Sequence, residues 1–291
     1  MTAQPAPLDP LETLFDGSTG TELPLPEPLK SLYGALRFPL RRDKPYVLAN
    51  LVTTLDGVVS LGVPGHTGGK DISGSSRQDV MLMGVLRSVS DALIVGAGTL
   101  RRSGGARMTA EEVYPPLASA YAELRAGVSK KSPLLNVIVT NSGELDPHMD
   151  LFRDGGPVLV VTTGAGAMRA RETGFPDAVR IVDASNDGGN GGQNGVSAAS
   201  VVQAVEDFQP GSLLLVEGGP HLLAQFYAER RIDEQFLTLA PQIAGRDGSG
   251  KQLGLVEGKT FAPAQPLWGN LNVVKRGKDH LFLRYRFEHG K

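Results

Sequence analysis

Residues 212–231 read SLLLVEGGPHLLAQFYAERR: an apolar run, a Glu-Gly-Gly-Pro turn, then a stretch of helical period. The run is too continuous for a half-exposed strand and too short for a buried helix. It therefore predicts a strand covered on both faces, as in a parallel sheet. Pro220 suits the first turn of the helix that follows, where its missing N–H is not needed. The same kind of run recurs upstream as YVLANLV (46–52), ALIVG (92–96), LNVIVT (135–140), PVLVVTT (157–163) and AVRIV (178–182). Between these runs, residues 75–89 begin at a Ser cap and set Val80, Met83, Leu86 and Val89 on one stripe. Residues 115–126, 165–173 and 197–208 have similar periodicity. Strand–helix alternation of this kind predicts an α/β fold, a mostly parallel sheet with helices on both faces. FLTLA (236–240), LNVVK (271–275) and LFLRYRF (281–287) follow one another without helices and predict antiparallel C-terminal strands near an edge. The last alternates, with Leu281, Leu283, Tyr285 and Phe287 on one face and Arg284 and Arg286 opposite.

The rest of the chain narrows the function classes. Its 29 Lys+Arg against 31 Asp+Glu leave a formal charge of −2 over 291 residues. That balance argues against a chain-wide basic surface and hence against nucleic acid as the partner. Without cysteine there is no thiolate nucleophile and no Cys-ligated metal. The five histidines (66, 148, 221, 280, 289) never fall at helical metal-ligand spacing. No apolar run approaches the ~20 residues that span a bilayer, and the start, MTAQPAPLDP, carries neither a basic nor an apolar leader. The expectation is a cytoplasmic protein with no membrane partner. Residues 1–40 are Pro-rich and read as an irregular extension with a short helix around Leu29–Leu36, its first ten or so residues without order; residues 41–291 read as a single domain. NDGGNGGQNG (186–195) reads as a solvated loop.

In open parallel sheets, ligands bind beyond the carboxyl ends of the strands, where backbone N–H groups and helix N-termini point outwards. Two candidate turns are Gly-rich: Gly96-Ala97-Gly98-Thr99 after 92–96, and Glu217-Gly218-Gly219-Pro220 after 212–217. Each could be only a tight strand–helix turn. Together they point to a long phosphate-bearing ligand whose diphosphate lies against bare amides at a helix start. Thr53-Thr54-Leu55-Asp56-Gly57 sets a carboxylate at a third strand end, and Asn141, Ser142, Thr162 and Thr163 add amide and hydroxyl groups at the same rim, where turn capping is the competing role. Gly164-Ala165-Gly166 has Arg169 where a dinucleotide fingerprint needs its third glycine, and Asp183 reads as a loop cap. Gly245–Lys251 and 254–260 each miss one requirement of a P-loop. With no Ser/His/Asp signature, hydride transfer fits best, because there the cofactor carries the reaction.

NLVTTLDG (50–57), ISGSSRQDVMLMGVLRSVSDALIVGAGTLR (72–101) and LLVEGGPHLLAQFYAERRIDEQFLTLAPQIAG (214–245) together resemble the reductase domain of riboflavin biosynthesis. This is the 5-amino-6-(5-phosphoribosylamino)uracil reductase family, and the likeness is to its stand-alone actinobacterial-type members. The resemblance spans roughly residues 46–287. It implies a three-layer αβα sandwich like that of dihydrofolate reductase, a homodimer, and NADPH-dependent hydride transfer to the opened ribosyl group of a phosphorylated pyrimidine. It also implies roles. Thr53 and Asp56 fall beside the nicotinamide, and Gly98 and Thr99 touch the cofactor. Gly218, Gly219, Pro220, His221 and Leu222 form the pyrophosphate turn. Asn141 and Ser142 belong to the 2′-phosphate side, with Thr162 and Thr163 near it. Glu217 is a substrate-side carboxylate, and Arg87 and Arg107 grip the substrate phosphate as planar bidentate donors. Asp56 and Glu217 are the expected catalytic carboxylates, and no metal is implied.

Two departures lie on the substrate side. LRRSGGARM (100–108) replaces an acidic, Pro-containing stretch, and the Ile72–Arg87 segment is about two residues longer than the family pattern. Arg101 and Arg102 read as surface charges. The competing functions are reduction of a pterin or dihydrofolate on the same scaffold, and a nucleotide-binding protein without catalysis.

Overall fold

In the computed structural model, which describes residues 7–39, 44–63, 65, 66, 68–130, 133–153, 156–185, 195–210 and 213–288, each of the upstream apolar runs is a strand. The main sheet comprises β1 (Glu12–Asp16), β2 (Tyr46–Thr53), β3 (Ala92–Gly96), β4 (Leu135–Val139), β5 (Val158–Thr162), β6 (Val179–Asp183), β7 (Leu213–Val216), β8 (Glu234–Leu239), β9 (Gly269–Gly277) and β10 (His280–Phe287). They lie in the order β1-β9-β10-β8-β2-β7-β3-β4-β5-β6. From β8 to β6 every pairing is parallel. β10, β9 and β1 are added antiparallel.

The main helices are α1 (Glu27–Tyr33), α2 (Arg77–Val89), α3 (Ala97–Arg102), α4 (Ala118–Gly127), α5 (Gly164–Glu172), α6 (Ala198–Phe208) and α7 (Pro220–Ala228). One core joins α1, α2 and α4 to Tyr46, Leu48, Leu93, Val95, Leu213 and Leu215. The other joins α6 and α7 to Val47, Ala49, Ala92, Ile94, Leu214 and Val216. Alternate residues of one strand thus serve opposite cores, so both periods of the strand must be apolar. That is why these runs are continuous rather than alternating. α2 and α4 meet closely at Gly84, where an added Cβ would lie 2.3 Å from the Tyr121 ring, and the Tyr121 hydroxyl donates to the Met81 carbonyl at 3.1 Å.

The structure corrects two expectations and adds one detail. The first forty residues are not merely irregular. β1 forms the outer strand against β9, Thr21–Glu22 pairs with Arg37–Phe38, and α1 buries Leu29 and Tyr33. The expected disorder of the first residues and nearly all of the 186–195 loop fall outside the described residues, whereas Leu8 packs against the core. The FLTLA strand is the seam of the sheet rather than one of its antiparallel members: β8 runs parallel to β2 and antiparallel to β10. The crossover through α7 carries the chain from β7 over β2 and imposes that direction. Finally, in β10 the arginine side of the alternation is covered. The Arg284 guanidinium is sandwiched between the rings of Phe38 (4.6 Å) and Phe236 (4.9 Å), pairs with the buried Glu234 and donates to the Arg37 carbonyl at 2.6 Å. The N-terminal segment supplies that cover.

Candidate active site

β2, β7 and β3 are neighbours and parallel, so their carboxyl ends open to one side. There they form the floor of a cleft of about 620 Å³, a size suited to a small organic ligand. Its walls come from α2, from residues 68–70, and from the segment running from Thr99 to Val113. Much of the lining is apolar, with Leu51, Val52, Val80, Met83, Val95 and Met108 among it.

The turn after β7 is tied to the end of β3: the Gly96 N–H donates to the Gly218 carbonyl at 2.9 Å, and the Glu217 N–H to the Ile94 carbonyl at 3.1 Å. Gly218 has φ +114°, a region that favours glycine, and the Gly218–Gly219 peptide is cis. Gly219 caps α7 in extended conformation, Pro220 is the first residue of that helix, and both line the cleft. A Cβ on Gly219 would approach Arg102 Nη2 and Thr99 Oγ1 to 3.3 Å each. The turn therefore presents bare backbone and the positive end of α7 to the cleft, with Thr99 and Arg102 beside it. This is the chemistry a diphosphate needs. Arg102 is thus more than a scattered surface charge: it is exposed, but it lies over the Gly-rich turn.

Beside that turn is a buried ion pair. The Arg87 Nη2 and Nε donate to Glu217 Oε2 at 2.6 and 3.0 Å, and Arg87 Nη1 donates to the Thr109 carbonyl at 3.2 Å. The two side chains are 8% and 5% exposed. Asn50 Nδ2 donates to Glu217 Oε1 at 3.4 Å. Arg87 is therefore neither a solvated helix-end charge nor a free fork. It lines the cleft while holding the Glu217 carboxylate in place. Arg107 also lines the cleft, exposed and paired with Glu112.

Four residues of one α2 face reach the same space: Asp79, Val80, Met83 and Arg87. The buried core face of the helix is Met81, Leu82, Val85, Leu86 and Val89. Val80 and Met83, expected on the core stripe, are half-buried and line the cleft, and of the two Val80 also packs against the core. Asp79 follows the Ser76 cap, whose Oγ accepts the Asp79 N–H at 3.3 Å, and the residue is 5% exposed. Burial raises its pKa to about 6; Glu217's charge adds to the rise and the neighbouring Thr238 hydroxyl opposes it. Sequence reading missed both Asp79 and Asn50. The signals were a carboxylate eight residues before Arg87 on the same helical face, and an amide inside an apolar strand run.

The other expected residues stand outside the cleft lining. Asp56 joins two loops: its carboxylate accepts the Thr54 hydroxyl (2.5 Å), the Ala244 N–H (3.1 Å) and the Gly245 N–H (2.7 Å). Of the two carboxylates expected to be catalytic, only Glu217 lines the cleft. The hydrogen bond from Thr54, then that from Ala244, holds Asp56 down to about 2. A depressed carboxylate contributes stability above its ordinary value and loses it as pH falls through the folded one. Thermal unfolding should accordingly find D56N less stable than wild type at pH 6, with the gap closing between about pH 4 and 2. Thr53 is buried, its hydroxyl donating to the Thr54 and Val58 carbonyls at 3.2 and 3.4 Å. Gly98 sits in α3, one residue before Thr99. His221 is exposed beside Gly258, and Leu222 packs on the apolar face that takes in Leu255 and Val256.

Asn141, Ser142, Thr162 and Thr163 do lie at the carboxyl ends of β4 and β5, on the same edge of the sheet, where their side chains serve turns. Asn141 Oδ1 accepts the Val196 N–H, Ser142 Oγ accepts the Glu144 N–H, and Thr163 caps α5 by accepting the Gly166 N–H at 3.1 Å. Thr162 Oγ1 is buried without a partner among the described residues. Asp183 is a loop cap, its Oδ1 accepting from the Ser185 N–H and hydroxyl. Two arginines frame this end: Arg169 donates to the Ser142 carbonyl and Arg101 to that of Glu144.

Residues 45–265 match the model of the RibD C-terminal domain. Among solved structures, a Corynebacterium diphtheriae pyrimidine reductase-like protein is 18% identical with a TM-score of 0.67, over 90% of this chain and 99% of that one. The Thermotoga maritima diaminohydroxyphosphoribosylaminopyrimidine deaminase/5-amino-6-(5-phosphoribosylamino)uracil reductase is 20% identical with a TM-score of 0.60, over 85% of this chain and 58% of that one. This chain thus spans little more than half of that protein. The riboflavin biosynthesis reductase of Saccharomyces cerevisiae is 15% identical with a TM-score of 0.55, over 84% and 90%. At these identities the likeness is one of fold. No curated protein matches the sequence.

Proposed function

Because the chain belongs to the RibD C-terminal domain family, we propose that it is a reductase of riboflavin biosynthesis that uses NADPH to convert the ribosyl group of a phosphoribosylamino-pyrimidine to its open-chain reduced form. The observation that carries this reading is the meeting, in one cleft, of the bare Gly218-Gly219 turn with the buried Arg87–Glu217 pair. When bound, NADPH supplies the hydride. The residues present fit such a group: the Gly219 turn and the start of α7 accept its diphosphate, with Thr99 and Arg102 alongside. The α7 dipole and the Arg102 charge both favour an anion there. Asn141, Ser142, Thr162 and Thr163 would take the adenosine end. The guanidinium groups of Arg101 and Arg169 nearby favour a 2′-phosphate and therefore NADPH over NADH.

The apolar stripe of Val80 and Met83 shields the reacting end from water, and Glu217, fixed by Arg87 and Asn50, orients the sugar hydroxyls. Lys70 and Arg107, the latter paired with Glu112, are both exposed at the cleft wall and are the cations assigned to the substrate phosphate, with Arg87 behind them. A homodimer is the assembly we propose. Half-exposed Leu14, Phe15 and Leu271 on the β1–β9 side of the sheet supply apolar surface for it. No helix among the described residues is long and apolar enough to cross a membrane, and we place the enzyme in the cytoplasm.

The test is oxidation of NADPH at 340 nm in the presence of the deaminated pyrimidine phosphate. Turnover with it, and none with dihydrofolate, is the expected result. A buried acid beside an apolar cleft, Asp79, is the one observation that favours a pterin instead, and the dihydrofolate arm of the same assay separates the two readings.

A further inference from the structure

Four carboxylates line the cleft: Asp79, Glu112, Asp150 and Glu217. Glu217 is committed to Arg87 and Asn50. Glu112 is paired with Arg107 at the surface, and Asp150 is exposed. Asp79 is buried, and unlike buried Glu217 it has no cation paired with it among the described residues. It sits eight residues from Arg87 on the same face of α2, two turns away along the cleft wall, with Val80 and Met83 between them. Reduction of a C=N bond consumes a hydride and a proton. Glu217, locked in an ion pair, is a poor source of that proton, and a buried carboxyl with no cation partner in an apolar wall is a good one.

We propose that Asp79 is the proton donor of this cleft. Its O–H bond breaks and an N–H bond forms on the nitrogen that receives the C=N π pair as hydride adds to the adjacent carbon; the resulting carboxylate is reprotonated from solvent. The inference rests on the reductase reading and holds whether the C=N belongs to an opened ribosylamine or to a pterin. The charged groups that share the cleft with Asp79 are Glu217 and Arg87, already paired, Lys70 from residues 69–72, Arg102 of α3, Arg107 with Glu112, and Asp150. Glu217 is the one whose charge acts on it, and it favours the protonated form. A pKa near 6 keeps Asp79 protonated below that pH and leaves a falling fraction above it.

The experiment compares wild type, D79N and D79E as full chains. D79N is isosteric and removes the proton without emptying the site. The expected result is a fall in kcat of at least about 100-fold, an NADPH Kd within about twofold of wild type, and partial recovery in D79E. The kcat/KM of wild type should decline as pH rises through about 6, and that limb should be absent from D79N. Independently of turnover, ¹³C NMR of aspartate-labelled protein should find one carboxyl, missing from D79N, that titrates near 6. Wild-type turnover with D79N retaining kcat within about threefold, or keeping the falling limb, overturns the assignment and leaves the reductase reading standing. Wild-type protein that reduces neither a pyrimidine phosphate nor dihydrofolate overturns both.

Discussion

Replacing Arg87 with methionine should lower the free energy of unfolding by about 3–5 kcal/mol at neutral pH, the usual penalty for leaving one member of a buried ion pair without its partner. Methionine fills most of the volume that arginine occupied, so the loss is electrostatic rather than a cavity effect. What is left behind is Glu217, 5% exposed, with only the long hydrogen bond from Asn50. The Thr109 carbonyl also loses its donor. Urea titration of R87M and of the double variant R87M/E217Q separates the causes. The double variant should recover much of the loss because the stranded charge is gone. A loss below about 1 kcal/mol in R87M would mean that the pair is solvated in solution and behaves as a surface bridge. On the proposed reading, in which Glu217 orients the substrate, R87M should also raise the KM for the phosphorylated pyrimidine more than the Kd for NADPH.

Gly219→Val should abolish high-affinity cofactor binding while the protein stays folded. Its Cβ would stand 3.3 Å from the ends of two side chains, Arg102 and Thr99, which can give by the few tenths of an ångström needed. The γ-methyl groups would occupy the space above the turn where we propose that the diphosphate touches the backbone. A loss of at least about 100-fold in NADPH affinity, some 2.8 kcal/mol, is expected. Fluorescence titration measures it, with an unchanged far-ultraviolet circular dichroism spectrum as the check on folding. If G219V bound NADPH as wild type does, the diphosphate would have to lie elsewhere.

How much of this was legible in the sequence depends on where each residue's partners come from. β2, β3, β4, β5 and β7 could be read because both of their faces are buried, which puts apolar residues at most positions. β1 could not: ETLFD is exposed along its whole length and is held by backbone pairing to β9, which leaves no mark on residue type. The burial of Arg284 could not be read either, because its cover, Phe38, comes from a segment far away in sequence. In the site, the Gly-rich turn was readable as local chemistry. The Arg87–Glu217 pair was not, since it joins residues 130 positions apart. Asp79 was hidden by its own helix. Val80 and Met83 have the periodicity of a core stripe, and periodicity cannot tell a packed interior from the wall of a cleft.

A crystal structure of the protein with NADP⁺ decides whether the Gly-rich turn holds the cofactor. The diphosphate should lie within hydrogen-bond distance of the backbone at Gly218–Pro220, with the nicotinamide in the cleft near Glu217 and Asp79. A cofactor bound away from that turn, or a cleft that stays empty at saturating NADP⁺, would contradict it.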